Sequence, residues 1–99
     1  MSFIQIIEIT TTQIDQVQQL IAAWAAETEG KRGTHRATLT QDRDRADTYL
    51  QIVEFPTRAT AEANSNLAET SRFAKQLAEL CAAPPLFRNL DVRHVFDLA

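Results

Sequence analysis

The spacing of apolar and polar positions changes along this chain, and each change predicts a new element. Residues 3–10 are rich in β-branched side chains and carry apolar residues at both odd and even positions, which predicts a strand buried on both faces. From 14 to 25 the apolar residues recur at steps of three and four. This spacing predicts an amphipathic helix that Thr11 or Thr12 caps and that ends at 30–33, where two glycines stand.

A β-hairpin is predicted to follow this helix. Residues 34–41 alternate between an apolar and a polar face, and the charged run 42–47 has no periodicity, which is typical of a solvated turn. Residues 49–55 again carry apolar side chains at both parities before Pro56 ends the strand. We therefore expect the third strand to lie inside the sheet.

The last third of the chain predicts a long helix and a final strand. Thr57 is a suitable N-cap, and an apolar stripe continues to Ala83, with a kink expected near 69–71. The prolines at 84–85 forbid further helix. Strict alternation over 87–98 predicts the fourth strand.

The resulting order, strand, helix, strand, strand, helix, strand, predicts an α+β protein with the ferredoxin-like βαββαβ fold. Its four-stranded antiparallel sheet should have the order 4-1-3-2, with residues 1–99 forming one domain. That order places at the centre the two strands that are apolar on both faces. Two helices can cover only one face of such a sheet, so we predict a homodimer through the open face.

Composition limits the partners of this protein. The net charge is −3 and the isoelectric point about 5.3, which argues against binding to nucleic acid or to an anionic membrane surface. No apolar run approaches the roughly 20 residues that span a bilayer, and the first residues lack the basic start of a signal peptide. We predict a cytoplasmic protein. Cys81 is the only cysteine, so a disulfide within one chain is impossible.

Three segments carry a resemblance to a known superfamily. The run 49–56, the Arg72-Phe73 pair in the following helix and the run 84–92 together resemble the dimeric α+β barrel superfamily. Within it, the chain is most similar to antibiotic biosynthesis monooxygenase-like domains, including small actinobacterial proteins of unassigned activity. The resemblance implies a barrel built from two sheets, with a small-molecule pocket between the sheet and the helices of each subunit. It also implies oxidation of aromatic, polyketide-like substrates without metal or flavin.

Some members of the superfamily degrade haem, and this chain departs from their pattern. Those members typically carry an Asn on the first strand and a Trp and a His near the second helix. Here Gln5, Phe55 and Asn64 stand at the corresponding places. We therefore expect no haem. Flavin and nicotinamide are not indicated either, since two glycines cannot build a phosphate-binding loop.

Several side chains are candidates for a ligand pocket. Asn64 lies on the apolar stripe of the second helix, so its amide must bond either the backbone or a ligand. Tyr49 could offer its hydroxyl to a pocket or to an interface, whereas Trp24 and His94 are first interpreted as structural. Two histidines are too few for a three-ligand zinc site, so we predict no metal. The predicted pocket residues are Trp24, His35, Tyr49, Asn64, Phe73 and His94.

Two functions remain open on the sequence. The first is a cofactor-independent monooxygenase-like enzyme acting on aromatic or polyketide-like compounds. Such an enzyme needs only a dry pocket for an easily oxidised aromatic and a group that stabilises its enolate, so the absence of a catalytic motif does not exclude it. The second is a non-catalytic homodimer that binds a small hydrophobic or aromatic ligand, or a partner protein. The sequence assigns no catalytic residue.

Overall fold

The computed structural model describes residues 2–98 and, within them, contains four strands and three helices. In chain order they are β1 (Phe3–Thr10), α1 (Ile14–Glu27), β2 (Arg36–Gln41), β3 (Thr48–Phe55), α2 (Arg58–Ser65), α3 (Ala68–Leu80) and β4 (Leu86–Asp91).

The strands form one antiparallel sheet in the order β2-β3-β1-β4, which is the predicted order read from the other edge. The two central strands are β1 and β3, the pair with apolar residues at both parities. At the centre of the sheet, Ile6 stands opposite Ile52 of β3 and Arg88 of β4. The predicted ferredoxin-like α+β fold is confirmed.

All three helices cover the same face of the sheet. Because side chains alternate along a strand, Ile7 and Ile9 of β1 point toward the helices and are buried, while Ile4 and Ile6 point away and are half-buried. In β3 the helix-facing Phe55 is 1% exposed. The face away from the helices, the outer face, is therefore apolar at its centre and uncovered in the single chain.

The buried side chains beneath the helices fall into two clusters. The larger joins β1 to α1 and α3, and we call it the α1–α3 core; it consists of Ile7, Ile9, Val17, Trp24, Phe73 and Leu77. The smaller joins the opposite ends of β1 and β3 to α2, and we call it the α2 core; it consists of Phe3, Val53, Phe55 and Ala61.

The predicted single long helix after β3 is wrong, since α2 ends at Ser65 and α3 begins at Ala68. Its predicted N-cap is confirmed, because Thr57 and Thr60 form a capping box in which each side chain bonds the other residue's backbone N–H. The break falls at Leu67, whose backbone is extended, and not at the expected kink near 69–71. Its cause is the preceding Asn-Ser-Asn run, since these residues compete with helical hydrogen bonds and are weak helix formers.

The fourth strand is shorter than predicted, ending at Asp91 and not at Leu98. Asp91 stands opposite Phe3, the first residue of β1, and the backbone of Val92 makes one further bond, to Ser2. β1 begins at Phe3, and within residues 2–98 the alternating pattern after Val92 forms no ladder. The apolar side chains of this segment are exposed, with Leu98 at 90%.

The cap of α1 differs in detail from the prediction. The hydroxyl of Thr11 accepts a bond from the backbone N–H of Gln13, which is itself the N-cap residue, and donates to the carbonyl of Leu80. Thr11 therefore ties the start of α1 to the end of α3. Within residues 2–98, none of the helices has the length and apolar character required to cross a bilayer.

Candidate functional site

A cavity of about 210 Å³ lies between the helices and the sheet, at the junction of α2 and α3. Ile7, Trp24 and Phe73 of the α1–α3 core form part of its wall, and Val53 of the α2 core forms another part. The cavity therefore lies along the border between the two cores. The three helices, the two central strands and β4 all contribute side chains to it.

Two aromatic side chains form a fixed wall of this cavity. The rings of Trp24 and Phe73 lie 6.0 Å apart between centroids and are tilted by 47°, an arrangement that favours aromatic contact. The indole Nε1–H of Trp24 donates to the hydroxyl of Thr70 at 3.0 Å, so the ring is held in orientation with its polar atom satisfied. The outcome is an apolar surface against which a planar ligand can stack.

Three carboxamides line the same cavity, and the carbonyl oxygens of two of them, Gln51 and Asn64, are buried without a partner. Gln51 and Asn64 are 3% and 5% exposed, and neither Gln51 Oε1 nor Asn64 Oδ1 has a hydrogen-bond partner within residues 2–98. A buried oxygen without a partner costs about 1–3 kcal/mol. Rotation of either amide would exchange the oxygen for an NH₂ group, so each residue can offer an acceptor or a donor to a ligand.

The cavity is electrically neutral, since no acidic, basic or histidine side chain lines it. An ionised ligand buried there would lose its hydration without gaining an opposite charge. The lining therefore favours a neutral ligand.

A second, more polar cleft of about 500 Å³ adjoins this cavity and shares Gln5 and Ser65 with it. In this cleft Arg58 pairs with Asp91 at 3.0 Å, and this contact raises the pKa of the Arg58 guanidinium. Gln5 donates to Asn89 at 3.0 Å. The polar groups of the open cleft are thus largely paired with one another, in contrast to the amides of the cavity.

Three of the residues predicted for a pocket come together in the cavity: Trp24, Asn64 and Phe73. Asn64 makes no side-chain bond to the backbone through Oδ1, which leaves the ligand alternative open.

The other three predicted residues do not line the cavity. His35 is exposed just before β2, where its backbone N–H donates to the carbonyl of Glu54. Tyr49 packs against the α1–α3 core with its hydroxyl 3.4 Å from Gln41 Nε2. His94 is exposed after β4, and its ring lies 4.4 Å from that of Phe96.

Sequence reasoning missed Gln51. A signal was present, since in β3 Gln51 has the same parity as Val53 and Phe55 and must point toward the helices. A glutamine at that position of a central strand is a buried amide, and buried amides need partners.

Cys81 is half-buried against the α1–α3 core. Burial raises the pKa of the Cys81 thiol, which keeps it protonated and poorly nucleophilic at neutral pH. In the part of the chain that the structure describes, no group of three or more His, Cys, Asp or Glu side chains is placed to hold a metal ion.

Comparison with known proteins finds similarity in structure only. No protein-family model and no curated protein sequence matches this chain. Among solved structures, Rv0793 from Mycobacterium tuberculosis is 13% identical with a TM-score of 0.78, covering 98% of this chain and 100% of that one. A Deinococcus radiodurans protein provisionally described as an antibiotic biosynthesis monooxygenase is 11% identical with a TM-score of 0.79, covering 98% of each chain.

A third similar structure is SnoaB from Streptomyces nogalater, described as a cofactor-independent oxygenase and solved as an asparagine-to-alanine variant. It is 17% identical with a TM-score of 0.79, and the match covers 95% of both chains. The structural neighbours are thus antibiotic biosynthesis monooxygenase-like proteins, as the sequence resemblance predicted. At these identities the likeness establishes the fold of this chain.

Proposed function

We propose that this protein is a cofactor-independent oxygenase that oxidises a small, neutral aromatic compound with molecular oxygen. The observation that carries the proposal is the uncharged, aromatic-walled cavity into which α2 brings the unpartnered amide of Asn64. The similarity in fold to SnoaB, a cofactor-independent oxygenase, supports the same reaction class.

The proposed reaction balances without an external reductant. In the oxidation of a phenol to a quinone, one oxygen atom of O₂ becomes a carbonyl oxygen on a ring carbon that loses its hydrogen, and the phenolic hydroxyl loses its hydrogen too. Both hydrogens leave with the second oxygen atom as water. The electrons come from the substrate, so the protein must bind the ring, keep bulk water away and stabilise the oxyanion that forms when the hydroxyl loses its proton.

Asn64 is the residue proposed to stabilise that oxyanion. With its NH₂ group turned toward the substrate oxygen, it would donate a hydrogen bond that strengthens as negative charge develops. Trp24 and Phe73 would hold the ring by stacking and by excluding water.

Measurement of oxygen uptake tests this proposal directly. A panel of phenols and naphthols is added to the protein in an oxygen-electrode cell, and at least one is expected to be consumed. Replacing a single donor to an oxyanion typically lowers kcat about 10²- to 10³-fold, and we expect this of Asn64→Ala. Gln18→Ala is the control, since Gln18 is an exposed amide residue of α1 and does not line the cavity. If no compound raises the melting temperature and none is consumed, the proposal fails.

We further propose that residues 1–99 act as one domain and that two copies associate through the outer face. Leu86 and Leu90 are 51% and 41% exposed on that face, beside the half-buried Ile4 and Ile6. The charges there are paired within the chain, as Arg88 lies 3.5 Å from Glu8. An apolar surface of this kind is typical of an interface.

Light scattering tests the association. The expected mass is twice the chain mass of 11.1 kDa, and Leu90→Lys should return the protein to a monomer. Ala23→Lys, on the exposed side of α1, should leave the dimer intact. A wild-type monomer at micromolar concentration would contradict the association.

The second candidate function is a non-catalytic homodimer that binds the same class of ligand. The small volume of the cavity favours neither function, and oxygen uptake separates them, because a binding module takes up the ligand without consuming oxygen. The cytoplasmic location and the lack of a nucleic-acid partner remain predictions from the sequence.

A further inference from the structure

We infer that Gln51 is a second recognition residue of the cavity, and that Gln51 and Asn64 together select a neutral aromatic ligand with two hydroxyl groups. The inference rests on the proposed small-molecule function of the cavity. It adds Gln51 as a second hydrogen-bonding residue to Asn64, the one already proposed.

The residues that stand directly opposite Gln51 in the sheet cannot bond its amide oxygen through their side chains. In the register of the sheet it stands between Ile7 of β1 and Leu39 of β2, both apolar. Its Oε1 is buried and unpartnered. Gln5 also lines the cavity, but its amide donates to Asn89. The difference marks Gln51 as the glutamine whose hydrogen-bonding capacity is unused.

The two unused amides come from opposite sides of the cavity. Gln51 belongs to β3 in the sheet, whereas Asn64 belongs to α2 in the helical layer above it. A ligand held between sheet and helix can therefore meet both, provided it carries a polar group for each.

A hydroxyl is the group that fits both amides best. It can donate to a carbonyl oxygen, and it can accept from the NH₂ group if the amide rotates. A carboxylate could do only the second and would be buried without a cation, since the lining carries no charge. The chemistry of the lining thus selects a neutral diol over a carboxylic acid.

The volume of the cavity limits the size of the ring system that can bind in it. A dry protein cavity of about 150 Å³ accommodates benzene. The present cavity of about 210 Å³ is larger, and it opens beside the polar cleft. We therefore expect one or two fused rings, and naphthalene derivatives are suitable probes.

The test is calorimetric titration of the full chain, under anaerobic conditions, with the naphthols and with a set of dihydroxynaphthalene isomers. At least one diol should bind about tenfold more tightly than the better naphthol, as one additional buried hydrogen bond would provide. Gln51→Met should abolish this preference while leaving naphthol affinity nearly unchanged. Gln5→Met is the matched control, because it changes a lining glutamine that already has a partner, and it should keep the preference.

Asn64→Leu provides the same test from the helical side and does not depend on whether Gln51→Met folds. The inference is overturned if no diol exceeds the naphthols, or if the preference survives in both variants. Naphthols that bind and are oxidised without a diol preference would overturn the inference and keep the proposed oxygenase. A diol preference without oxygen uptake would support the inference and favour the binding module. If no naphthalene derivative binds, the inference falls, and the phenols of the oxygen-uptake panel decide the proposed oxygenase separately.

Discussion

The two cores beneath the helices differ in how completely they are built. In the α1–α3 core two long helices pack on β1, and Val17 and Leu77 are both fully buried. In the α2 core an eight-residue helix contributes one buried apolar side chain, Ala61, over Phe3 and Phe55. The α1–α3 core thus has the dense packing that stabilises a domain, whereas few side chains cover the α2 core.

The contrast explains where the cavity lies. The helical segment after β3 is interrupted at Leu67, so α2 and α3 cover different parts of the sheet. The cavity lies in the space between them, lined by side chains at the border of the two cores. The buried amides stand at this border. Packing in the α1–α3 core can therefore provide stability while the border remains available for the proposed ligand.

Truncation in the α1–α3 core should have the largest effect. Leu77→Ala removes a side chain with no solvent exposure and should lower the free energy of unfolding by about 2–5 kcal/mol. Urea unfolding measures it, with Gln76→Ala, an exposed change in the next residue, expected within about 0.5 kcal/mol of wild type. A loss below 1 kcal/mol for Leu77→Ala would remove the distinction between the two cores.

A change at the border should act in the opposite direction. Asn64→Leu removes the unpartnered oxygen and keeps a side chain of similar size, so stability should rise by as much as about 1–3 kcal/mol while ligand binding weakens. Gln18→Leu, at an exposed position of α1 that does not line the cavity, is the control and should leave both properties nearly unchanged. A clear loss of stability in Asn64→Leu would show that the amide of Asn64 has a structural role.

The smallest effect concerns an ion pair at the start of α3. Lys31 lies 2.7 Å from Glu69, and this bond holds the pKa of the Glu69 carboxyl below its usual range. A lowered pKa in the folded state contributes stability at neutral pH that is lost as the pH falls through that pKa. Lys31→Met should therefore lower the melting temperature slightly at pH 7 and by less at an acidic pH, as the pH falls through the pKa of Glu69.

Because the pair is exposed, salt should also reduce its contribution. A Lys31→Met effect that is equal at both pH values, or insensitive to salt, would contradict this interpretation. Melting curves of the two proteins at two salt concentrations are sufficient for the comparison.

Local chemistry explains what the sequence could predict of the fold. The two-sided apolar pattern of β1 and β3 identified the central strands, and Thr57 identified the start of α2. The break at Leu67 was missed, because the apolar stripe continues across it while only the Asn-Ser-Asn run opposes the helix. The end of β4 could not be predicted from its own alternation, since it depends on where the opposite strand begins.

Part of the candidate site could likewise be predicted from the sequence, and part of it could not. Trp24, Asn64 and Phe73 were accessible to prediction because they lie on apolar helical stripes, which must face the sheet. The histidines were singled out for their chemistry alone, and neither lines the cavity. Gln51 was overlooked although its parity in β3 was known, because a single polar residue in a strand that is apolar on both faces gives no periodic signal.

The central claim is that a neutral aromatic ligand enters the cavity at the border of the two cores. An NMR titration with a naphthol tests it directly, because the chain has one tryptophan and so one indole N–H signal, from a ring on the cavity wall. We predict saturable shifts of this signal and of the side-chain NH₂ signals of Gln51 and Asn64, with the exposed Gln16 unchanged. Saturating naphthol that leaves the Trp24, Gln51 and Asn64 signals in place would contradict the claim.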